Sequence, residues 1–286
     1  MTDIAVVILA KNEKLHIARC LARLRNLTPW QIFIVDCFST DGTQAIAENV
    51  KCGIENGEWG ECSTEVRVVE HEWPGNQAKQ FNWALDNLPI HASWVFRLDA
   101  DEYLYPDTIE EINALLPKWD GEKVTGGVLP PDVTSLSLSR ARHIFGGDIK
   151  HGNPEVELVR FFKFGFGRSS DAEMDEHIVT SEGRNLRLKG QFVDDSLLPF
   201  VEWQEKHRGY AKREAKMAVE GRANKNKRLY YKLPPYFRAI AYFCIRYFLR
   251  LGFLDGLPGF RWHFWQGLWY RWLVDREIAK MRRSQK

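Results

Sequence analysis

Residues 94–102 read Trp-Val-Phe-Arg-Leu-Asp-Ala-Asp-Glu, an apolar run typical of a buried β-strand that ends in two carboxylates one residue apart. Alternate side chains of a strand project to the same side, so Asp99 and Asp101 can reach one point beyond the strand tip. Carboxylate oxygens placed there suit Mg²⁺ or Mn²⁺, with substrate phosphates completing the coordination. A solvated turn between a strand and a helix is the alternative interpretation, and the rest of the chain has to decide between the two.

Composition sets the outer bounds. The chain has 286 residues and a net charge of +2, so the molecule as a whole has no nucleic-acid signature, although Lys and Arg crowd its last quarter. Five scattered cysteines without a C-x-x-C pair predict reduced thiols in a cytosolic compartment, with a Cys52–Cys62 bridge as the less favoured alternative. We expect no signal peptide, and no uncharged apolar run reaches the roughly 20 residues of a spanning helix.

The first third of the chain alternates strand-like and helix-like segments. Strands are predicted at 4–9, 32–35, 66–69 and 94–98, each followed by apolar residues at helical spacing. This alternation predicts an α/β fold with a mostly parallel sheet covered by helices. After about Thr125 the pattern predicts a strand pair over 156–166, a strand over 186–193 and a charged helix over 202–220.

Polar groups follow three of the predicted strands. Ala10-Lys11-Asn12-Glu13 follows the first strand, Asp36 ends the second, and Asp99-Ala100-Asp101 ends the fourth. Ligands of open α/β sheets bind at the carboxyl ends of the strands, where these segments would meet. Asp36 is suited either to accept a hydrogen bond from a base or ribose or to cap the following turn. Together the three segments indicate a site for a nucleotide diphosphate and a metal ion.

These segments resemble those of the family 2 glycosyltransferases, the large inverting group with the nucleotide-binding GT-A fold. The matching stretches are VVILAKNE at 6–13, IVDCFSTDGT at 34–43 and LDADE at 98–102. EWPGNQAKQFN at 72–82 resembles the branch that includes lipopolysaccharide-core and exopolysaccharide glycosyltransferases. Two departures are Cys37-Phe38, where the family has a small or acidic pair, and Ala78 between Gln77 and Lys79.

The resemblance implies the GT-A nucleotide-diphospho-sugar transferase fold and hexosyl transfer from a nucleotide-diphosphate sugar, with a UDP-sugar favoured. It also implies that Asp99 and Asp101 hold Mg²⁺ or Mn²⁺. Lys79 lies near a predicted helix start, where an ammonium and the helix N-terminus favour the same phosphate; an exposed helix lysine is the alternative. The implied nucleotide-sugar contacts are Ala10, Lys11, Asn12, Glu13, Asp36, Lys79, Asp99 and Ala100.

Met174-Asp175-Glu176-His177 contains three consecutive ionisable residues and is a second candidate site. In glycosyl transfer the acceptor hydroxyl loses its proton as it attacks the anomeric carbon, and a positioned carboxylate serves as the base. By the resemblance Glu176 is the expected base and Asp175 the alternative. For His177, orienting that carboxylate, contacting diphosphate and filling the core all remain open. The residues expected on the acceptor side are Trp73, Lys150, His151 and His177.

The tail over residues 229–286 is rich in aromatic and basic side chains. Four tryptophans recur at spacings of three, four and three, which predicts one stripe along a helix. A preceding helix would carry three arginines within about a third of its circumference. Aromatic rings beside cations are typical of a helix lying in a membrane interface; packing on the catalytic core or a dimer interface is the alternative. The residues are Trp262, Trp265, Trp269 and Trp272, and Arg238, Arg246 and Arg250.

Three parts are therefore expected: a nucleotide-sugar-binding half at 1–125, an acceptor-binding and catalytic-base half of the same domain at 126–228, and an amphipathic helical tail at 229–286. The predicted enzyme moves a sugar to a glycan or lipid-linked saccharide in bacterial surface polysaccharide synthesis, bound peripherally to the cytoplasmic face of the plasma membrane, with no nucleic acid as partner. A sugar nucleotidyltransferase is one alternative, although residues 11–13 lack its phosphate-loop glycines. A membrane-associated non-catalytic scaffold is the other, although Asp99, Asp101 and Glu176 are intact.

Overall fold

The computed structural model describes residues 1–53, 64–170, 177–222 and 229–284. They form two compact units, one of Met1–Arg140 with Glu155–Ser196 and one of Ala141–Pro154 with Leu197–Lys286. We call these the larger and the smaller unit. The division of roles expected at residues 125 and 228 stays a prediction, because compactness does not assign a role.

Four parallel strands organise the larger unit. They are β1 (Thr2–Ala10), β2 (Pro29–Asp36), β3 (Glu65–Glu70) and β4 (Trp94–Asp99), in the sheet order β3-β2-β1-β4. The helices between and after them are α1 (Ile17–Arg23), α2 (Thr43–Gly53), α3 (Gln77–Asn87) and α4 (Pro106–Leu115), with a 3₁₀ turn at Arg25–Leu27. The predicted strand–helix alternation is therefore confirmed.

Alternate residues of β1 enter two separate cores. Ile4, Val6 and Ile8 pack in one cluster with residues of α1 and α4, and Ala5 and Val7 pack in the other with residues of α3. Both faces of a strand covered by helices must be apolar, which is why the run reads as continuous β-branched sequence rather than alternating.

The sheet continues with antiparallel strands. Its order beyond β4 is β10-β8-β13-β5, which makes it mixed. The strands are β5 (Glu102–Leu104), β6 (Lys118–Trp119), β7 (Val124–Thr125), β8 (Val133–Ile144), β9 (Gly147–Asp148), β10 (Glu157–Lys163) and β13 (Arg184–Asp195); β11 (Gly167–Ser169) and β12 (Ile178–Thr180) form a separate pair.

The strand pair predicted over 156–166 is wrong. This segment contains the single strand β10, which pairs with β4 on one side and β8 on the other. Consecutive Phe161 and Phe162 point to opposite faces and enter the two different cores. A central strand buried on both faces reads as one apolar run, which the sequence pattern does not distinguish from a hairpin.

The smaller unit is mainly helical. Its elements are α5 (Phe200–Val219), α6 (Phe237–Cys244), a π-helical turn (Ile245–Leu249), a 3₁₀ turn (Gly252–Asp255), α7 (Gly256–Trp262), a π-helical segment (His263–Trp269) and α8 (Tyr270–Ser284). Ala211 and Ala215 of α5 pack against Tyr270, Val274 and Ile278 of α8. Within the described ranges, no helix combines the length and apolarity needed to cross a membrane.

The expectation of one outward-facing tryptophan stripe is wrong. Trp262 is only 4% exposed and packs with Ile144, Ile149 and Trp203, and Trp265 and Trp269 pack against the same cluster. Only Trp272 is largely exposed, at 54%. The π-helical segment bonds i to i+5 and changes the rotation per residue, so 3.6-residue spacing does not keep the four rings in line.

Two of the arginines expected beside the stripe are also buried. Arg238 forms an ion pair with Asp275, and Arg246 donates to the Asn153 amide oxygen. Arg250 remains exposed. The packed alternative therefore holds for most of this stripe, and any contact with a lipid surface has to involve other side chains.

Cys20, Cys37 and Cys244 are free thiols. The side chains of the alternative pair, Cys52 and Cys62, lie outside the described residues.

Candidate active site

The carboxyl ends of β1, β2 and β4 lie side by side. Ala10 is in register with Asp36 across β1 and β2, and Leu9 is in register with Asp99 across β1 and β4. The parallel pairing thus brings together the three polar strand ends that the sequence indicated. This edge is where an open α/β sheet binds its ligand.

The two loops after β1 and β2 brace each other. The Asn12 amide oxygen accepts the Thr40 N–H at 2.9 Å, and the Asn12 N–H donates to Ser39 Oγ at 2.8 Å. The Glu13 N–H donates to Thr43 Oγ1 at 2.7 Å, while the Glu13 carboxylate contacts His16 Nδ1 at 2.6 Å. Asn12 has a φ of +57°, a conformation that asparagine tolerates better than most residues. Local polar contacts therefore shape the rim of the site before any ligand binds.

Asp36 caps the turn that follows it. Its buried carboxylate accepts hydrogen bonds from the Ser39 N–H at 2.8 Å, Ser39 Oγ at 2.5 Å and Gln44 Nε2 at 2.7 Å. Of the two roles that the sequence left open, the structure shows the cap. A contact from Asp36 to a nucleotide stays a prediction.

Lys11 and Phe38 form an unexpected pair at this rim. The Lys11 ammonium donates to the backbone oxygens of Cys37 at 2.5 Å and Phe38 at 2.9 Å. Phe38 has a φ of +56° and its ring is 50% exposed. An exposed aromatic residue held in the left-handed region is unusual and suggests a functional reason. The departure at Cys37-Phe38 marked this position in the sequence but did not reveal its exposed ring.

Asp99 carries an unused acceptor at the tip of β4. Its Oδ1 is buried and has no hydrogen-bond partner among the described residues. Asp101 follows in the turn between β4 and β5 and is half-buried. A buried carboxylate oxygen without a donor is costly unless a cation or ligand satisfies it. Two carboxylates and one unused oxygen fit a Mg²⁺ or Mn²⁺ that takes its remaining ligands from diphosphate. In the described ranges no group of three or more His, Cys, Asp or Glu forms a metal site.

Buried charges hold this turn in place. Glu102 accepts the Asp99 N–H at 3.0 Å and pairs with Arg160 of β10 at 2.5 Å. Burial raises the pKa of Glu102 to about 8, although the Arg160 guanidinium opposes the shift. The Asp195 N–H donates to the Asp101 carbonyl at 3.1 Å, and the Asp195 carboxylate pairs with Arg19 at 2.6 Å.

Sequence reasoning missed this supporting network. Glu102 was visible only as part of the LDADE match, and its partner Arg160 lies 58 residues further along the chain. Arg19 and Asp195 are separated by 176 residues. No local pattern signals such pairs, because the sheet topology alone brings them together.

Lys79 occupies the third position of α3. The Asn76 side chain caps that helix by accepting the Lys79 N–H at 2.8 Å, and the Lys79 side chain is exposed. Trp73, four residues before the helix start, is 45% exposed. Both residues are available to a ligand, and their assignment to donor and acceptor stays a prediction.

Asp175 and Glu176, the predicted bases, lie outside the described residues, as do residues 171–174. The flanking residues are paired: the Ser170 N–H donates to the His177 carbonyl at 2.8 Å, and the His177 N–H donates to Ser170 Oγ at 3.2 Å. Asn82 of α3 bonds both the N–H and the carbonyl of Ser169. His177 is exposed, which excludes the core-filling role considered for it.

Lys150 and His151 belong to the smaller unit. Their backbone N–H groups donate to Asp255 Oδ2 at 3.0 and 2.8 Å, and His151 Nδ1 lies 2.6 Å from Asp255 Oδ1. Their predicted role toward an acceptor is untested.

The fold described above, with polar strand ends at one edge of a helix-covered sheet, is that of the GT-A class of transferases. The chain belongs to glycosyl transferase family 2, whose family model matches residues 5–169. The resemblance seen in the sequence is thereby confirmed, and with it the fold class and the assignment as a glycosyltransferase.

Two curated proteins and one solved structure illustrate what this chain is similar to. The lipopolysaccharide core biosynthesis glycosyltransferase LpsC of Rhizobium meliloti is 27% identical over 260 residues, covering 89% of this chain and 82% of LpsC. An uncharacterized glycosyltransferase of Rickettsia conorii is 34% identical over 109 residues, covering 38% of this chain and 32% of that protein. Among solved structures, S. aureus TarS 1-349 in complex with UDP-GlcNAc matches with a TM-score of 0.46 at 13% identity, covering 98% of this chain and 92% of that one.

Proposed function

We propose that this enzyme transfers a sugar, with inversion, from a nucleotide-diphosphate donor to a glycan or lipid-linked saccharide of a bacterial surface polysaccharide. A UDP-sugar is the favoured donor, and Mg²⁺ or Mn²⁺ is the proposed cofactor. The observation that carries the proposal is the unused, buried Oδ1 of Asp99 at the sheet edge where the polar strand ends meet. The naming of LpsC as a lipopolysaccharide core enzyme supports lipopolysaccharide as the product class.

The donor site follows from this edge. Asp99 and Asp101 would hold the metal, which stabilises the negative charge that develops on the departing diphosphate. The exposed ammonium of Lys79, near the N-terminus of α3, would neutralise phosphate. Residues 10–13, Asp36 and Ala100 would line the nucleotide side, and the exposed Phe38 ring would cover one face of the base.

The acceptor hydroxyl needs a base. Glu176 is the proposed one and Asp175 the alternative. His177, which is exposed and hydrogen-bonded to Ser170, follows Glu176 in the sequence. Trp73, Lys150 and His151 are proposed as acceptor contacts.

We further propose that the enzyme works at the cytoplasmic face of the plasma membrane, bound peripherally through residues 229–286. Lipid-linked acceptors are confined to the membrane surface, and the smaller unit has the basic composition that attracts anionic lipids.

Asp101→Asn tests the metal site. An amide is a poorer ligand for a hard cation than a carboxylate, so we expect transfer to be lost. Calorimetric titration of the variant with UDP should show weaker binding only when Mn²⁺ is present. Glu110→Gln, at an exposed carboxylate of α4, is the matched control and should behave as wild type. Wild-type transfer that persists unchanged in EDTA would contradict the metal role, and a panel of nucleotide sugars would identify the donor in the same assay.

A further inference from the structure

The smaller unit exposes a continuous aromatic surface after α6. Tyr247 lies at its centre, with the ring centroids of Phe248, Phe253 and Phe260 at 5.1, 6.3 and 5.8 Å from its own. All three phenylalanine side chains are exposed, Phe248 by 56%. Rings that contact a common neighbour while facing solvent form one patch rather than scattered residues, and such patches mark interaction sites.

We call these rings, together with the exposed aliphatic residues of the same segment, 245–260, the Tyr247 surface. Leu249 is 77% exposed, and further large apolar side chains of the same 16-residue span are also exposed. None of the three packed tryptophans and two buried arginines discussed above is needed to form it. The aliphatic members are Ile245, Leu249, Leu251, Leu254 and Leu257.

The backbone beneath the surface is firmly held. The Gly152 N–H donates to the Arg250 carbonyl at 2.9 Å. Gly252 packs so closely on the His263 ring that a Cβ there would overlap it. The exposed apolar side chains therefore project from a supported backbone, and binding would not require this segment to order itself first.

The charge around the surface is positive. The smaller unit has 22 Lys and Arg against eight Asp and Glu, whereas the larger unit has 18 against 30. Arg250 and Arg261 are exposed within and beside the surface, and neither forms an ion pair with a described residue. Asp255, the single acidic residue of the segment 237–261, is turned inward to His151 and the backbone.

We infer that the Tyr247 surface docks on an anionic lipid bilayer, with its leucine and phenylalanine side chains at the acyl boundary and Arg250 and Arg261 among the phosphates. Exposed leucines favour an acyl boundary over nucleic acid, which offers no apolar phase of this size. A symmetric dimer through two copies of this surface is disfavoured, because the two strongly basic units would repel each other. The inference deepens the proposed function by naming the surface through which the enzyme reaches a membrane-linked acceptor.

Leu249→Asp with Leu254→Asp tests the surface in the full-length protein. Because both side chains are exposed, the variant should fold normally, as checked by thermal unfolding. In flotation with vesicles of phosphatidylglycerol and phosphatidylcholine, we expect wild type to bind. The variant should lose at least about tenfold in partitioning, because removing one leucine from an apolar phase alone has about that effect. Val128→Asp, at a 71% exposed residue of the larger unit, is the matched control and should still bind. Truncation before the tail is a poorer test, since α8 packs on α5.

Arg250→Ser with Arg261→Ser tests the charge. This variant should keep weak binding to pure phosphatidylcholine but lose the preference for phosphatidylglycerol, and the preference in wild type should fall as salt rises. Wild type that ignores vesicles, or a leucine variant that floats like wild type, would overturn the inference. A wild-type protein that sediments as a dimer while the leucine variant is monomeric would also overturn it. Equal loss of vesicle binding by wild type and by the leucine variant when DNA is added would do the same.

The two proposals fail separately. Transfer to a detergent-solubilised or short soluble acceptor depends on the donor site alone and should be unchanged in the leucine variant. Loss of flotation with retained soluble transfer supports the docking surface, whereas absence of any transfer in wild type would count against the proposed function and leave the flotation result standing.

Discussion

At the scale of single residues, two aspartates at the carboxyl edge of the parallel strands differ in how their oxygens are satisfied. Asp36 is hydrogen-bonded within the described protein, and one oxygen of Asp99 is not. The Asp36 carboxylate receives three hydrogen bonds from its own turn, whereas Oδ1 of Asp99 is buried without a donor in the described chain. Both are aspartates at the ends of parallel strands. Their surroundings differ because a Ser and a Gln follow Asp36 at distances that allow local capping.

Phe38→Ala should weaken donor binding. Stacking of a base on an aromatic ring is worth about 1–3 kcal/mol, so KM for the nucleotide sugar should rise roughly tenfold while kcat changes little. Phe38→Tyr keeps the ring and should retain wild-type KM. Steady-state kinetics with the preferred donor measure both, and an unchanged KM in the alanine variant would remove the ring from the donor site.

Glu176→Gln should lower kcat by roughly 10²–10⁴-fold, the usual contribution of a general base, with donor affinity nearly unchanged. Asp175→Asn is the companion variant. If that change is the damaging one, the base is one residue earlier in the chain; if both variants turn over normally, the cluster has no catalytic role. Single-turnover kinetics alongside titration with UDP separate chemistry from binding.

At the scale of elements, the helical tail shows how a regular spacing fails when the helix type changes. Between α7 and α8 the chain passes through the π-helical segment His263–Trp269. Trp262 turns into the core of the smaller unit, where Arg142 and Arg246 lie 4.3 and 5.9 Å from its ring centroid, while Trp272 stays exposed.

Trp262→Ala and Trp272→Ala should therefore differ sharply in stability. Removing the buried ring leaves a cavity and should cost about 3–5 kcal/mol in the free energy of unfolding. Removing the exposed ring should cost less than about 1 kcal/mol. Urea unfolding of the two variants provides the comparison. Equal losses would mean that the four tryptophans occupy similar environments after all.

At the scale of the whole molecule, charge is segregated between the two units. An overall charge of +2 conceals a basic smaller unit and an acidic larger one. Under the proposed function, the larger unit would bind an anionic donor with the help of a cation, and the smaller unit is suited to an anionic surface.

Acid should destabilise the smaller unit through the half-buried His207 and the buried His263. Burial lowers the pKa of His207 from 6.5 to about 4, and repulsion by Lys206 and Arg142 adds to this shift. Burial also lowers the pKa of His263 from 6.5 to about 4; repulsion by Arg246 adds to that shift and attraction to Asp255 opposes it. The unfolded chain binds these protons more readily, so their contribution to stability is complete above pH 6.5 and is lost as the pH falls toward 4.

His207→Gln should flatten this dependence. Between pH 6.5 and 4, wild type should lose on the order of 2 kcal/mol more of its free energy of unfolding than the variant does. Urea unfolding followed by tryptophan fluorescence at a series of pH values measures it. Parallel pH profiles of the two proteins would show that His207 is protonated in the folded state as readily as in the unfolded one.

The sequence by itself determined the strand–helix order of the first third, the family and the carboxylate pair at the tip of β4. These are local properties: the period of apolar residues and short motifs whose spacing survives without tertiary context. The meeting of Ala10, Asp36 and Asp99 at one edge of the sheet could be predicted, because parallel strands bring their carboxyl ends together in any such fold.

The tertiary structure alone decided which side chains support that edge and which face solvent in the tail. Arg160 reaches Glu102 and Arg19 reaches Asp195 only because β10 and β13 enter the sheet between distant segments. The tryptophans that looked like a membrane stripe are mostly packed inward, and the exposed apolar surface lies instead around Tyr247. Burial is a property of the surroundings of a residue, and those surroundings are assembled from parts of the chain that no local pattern relates.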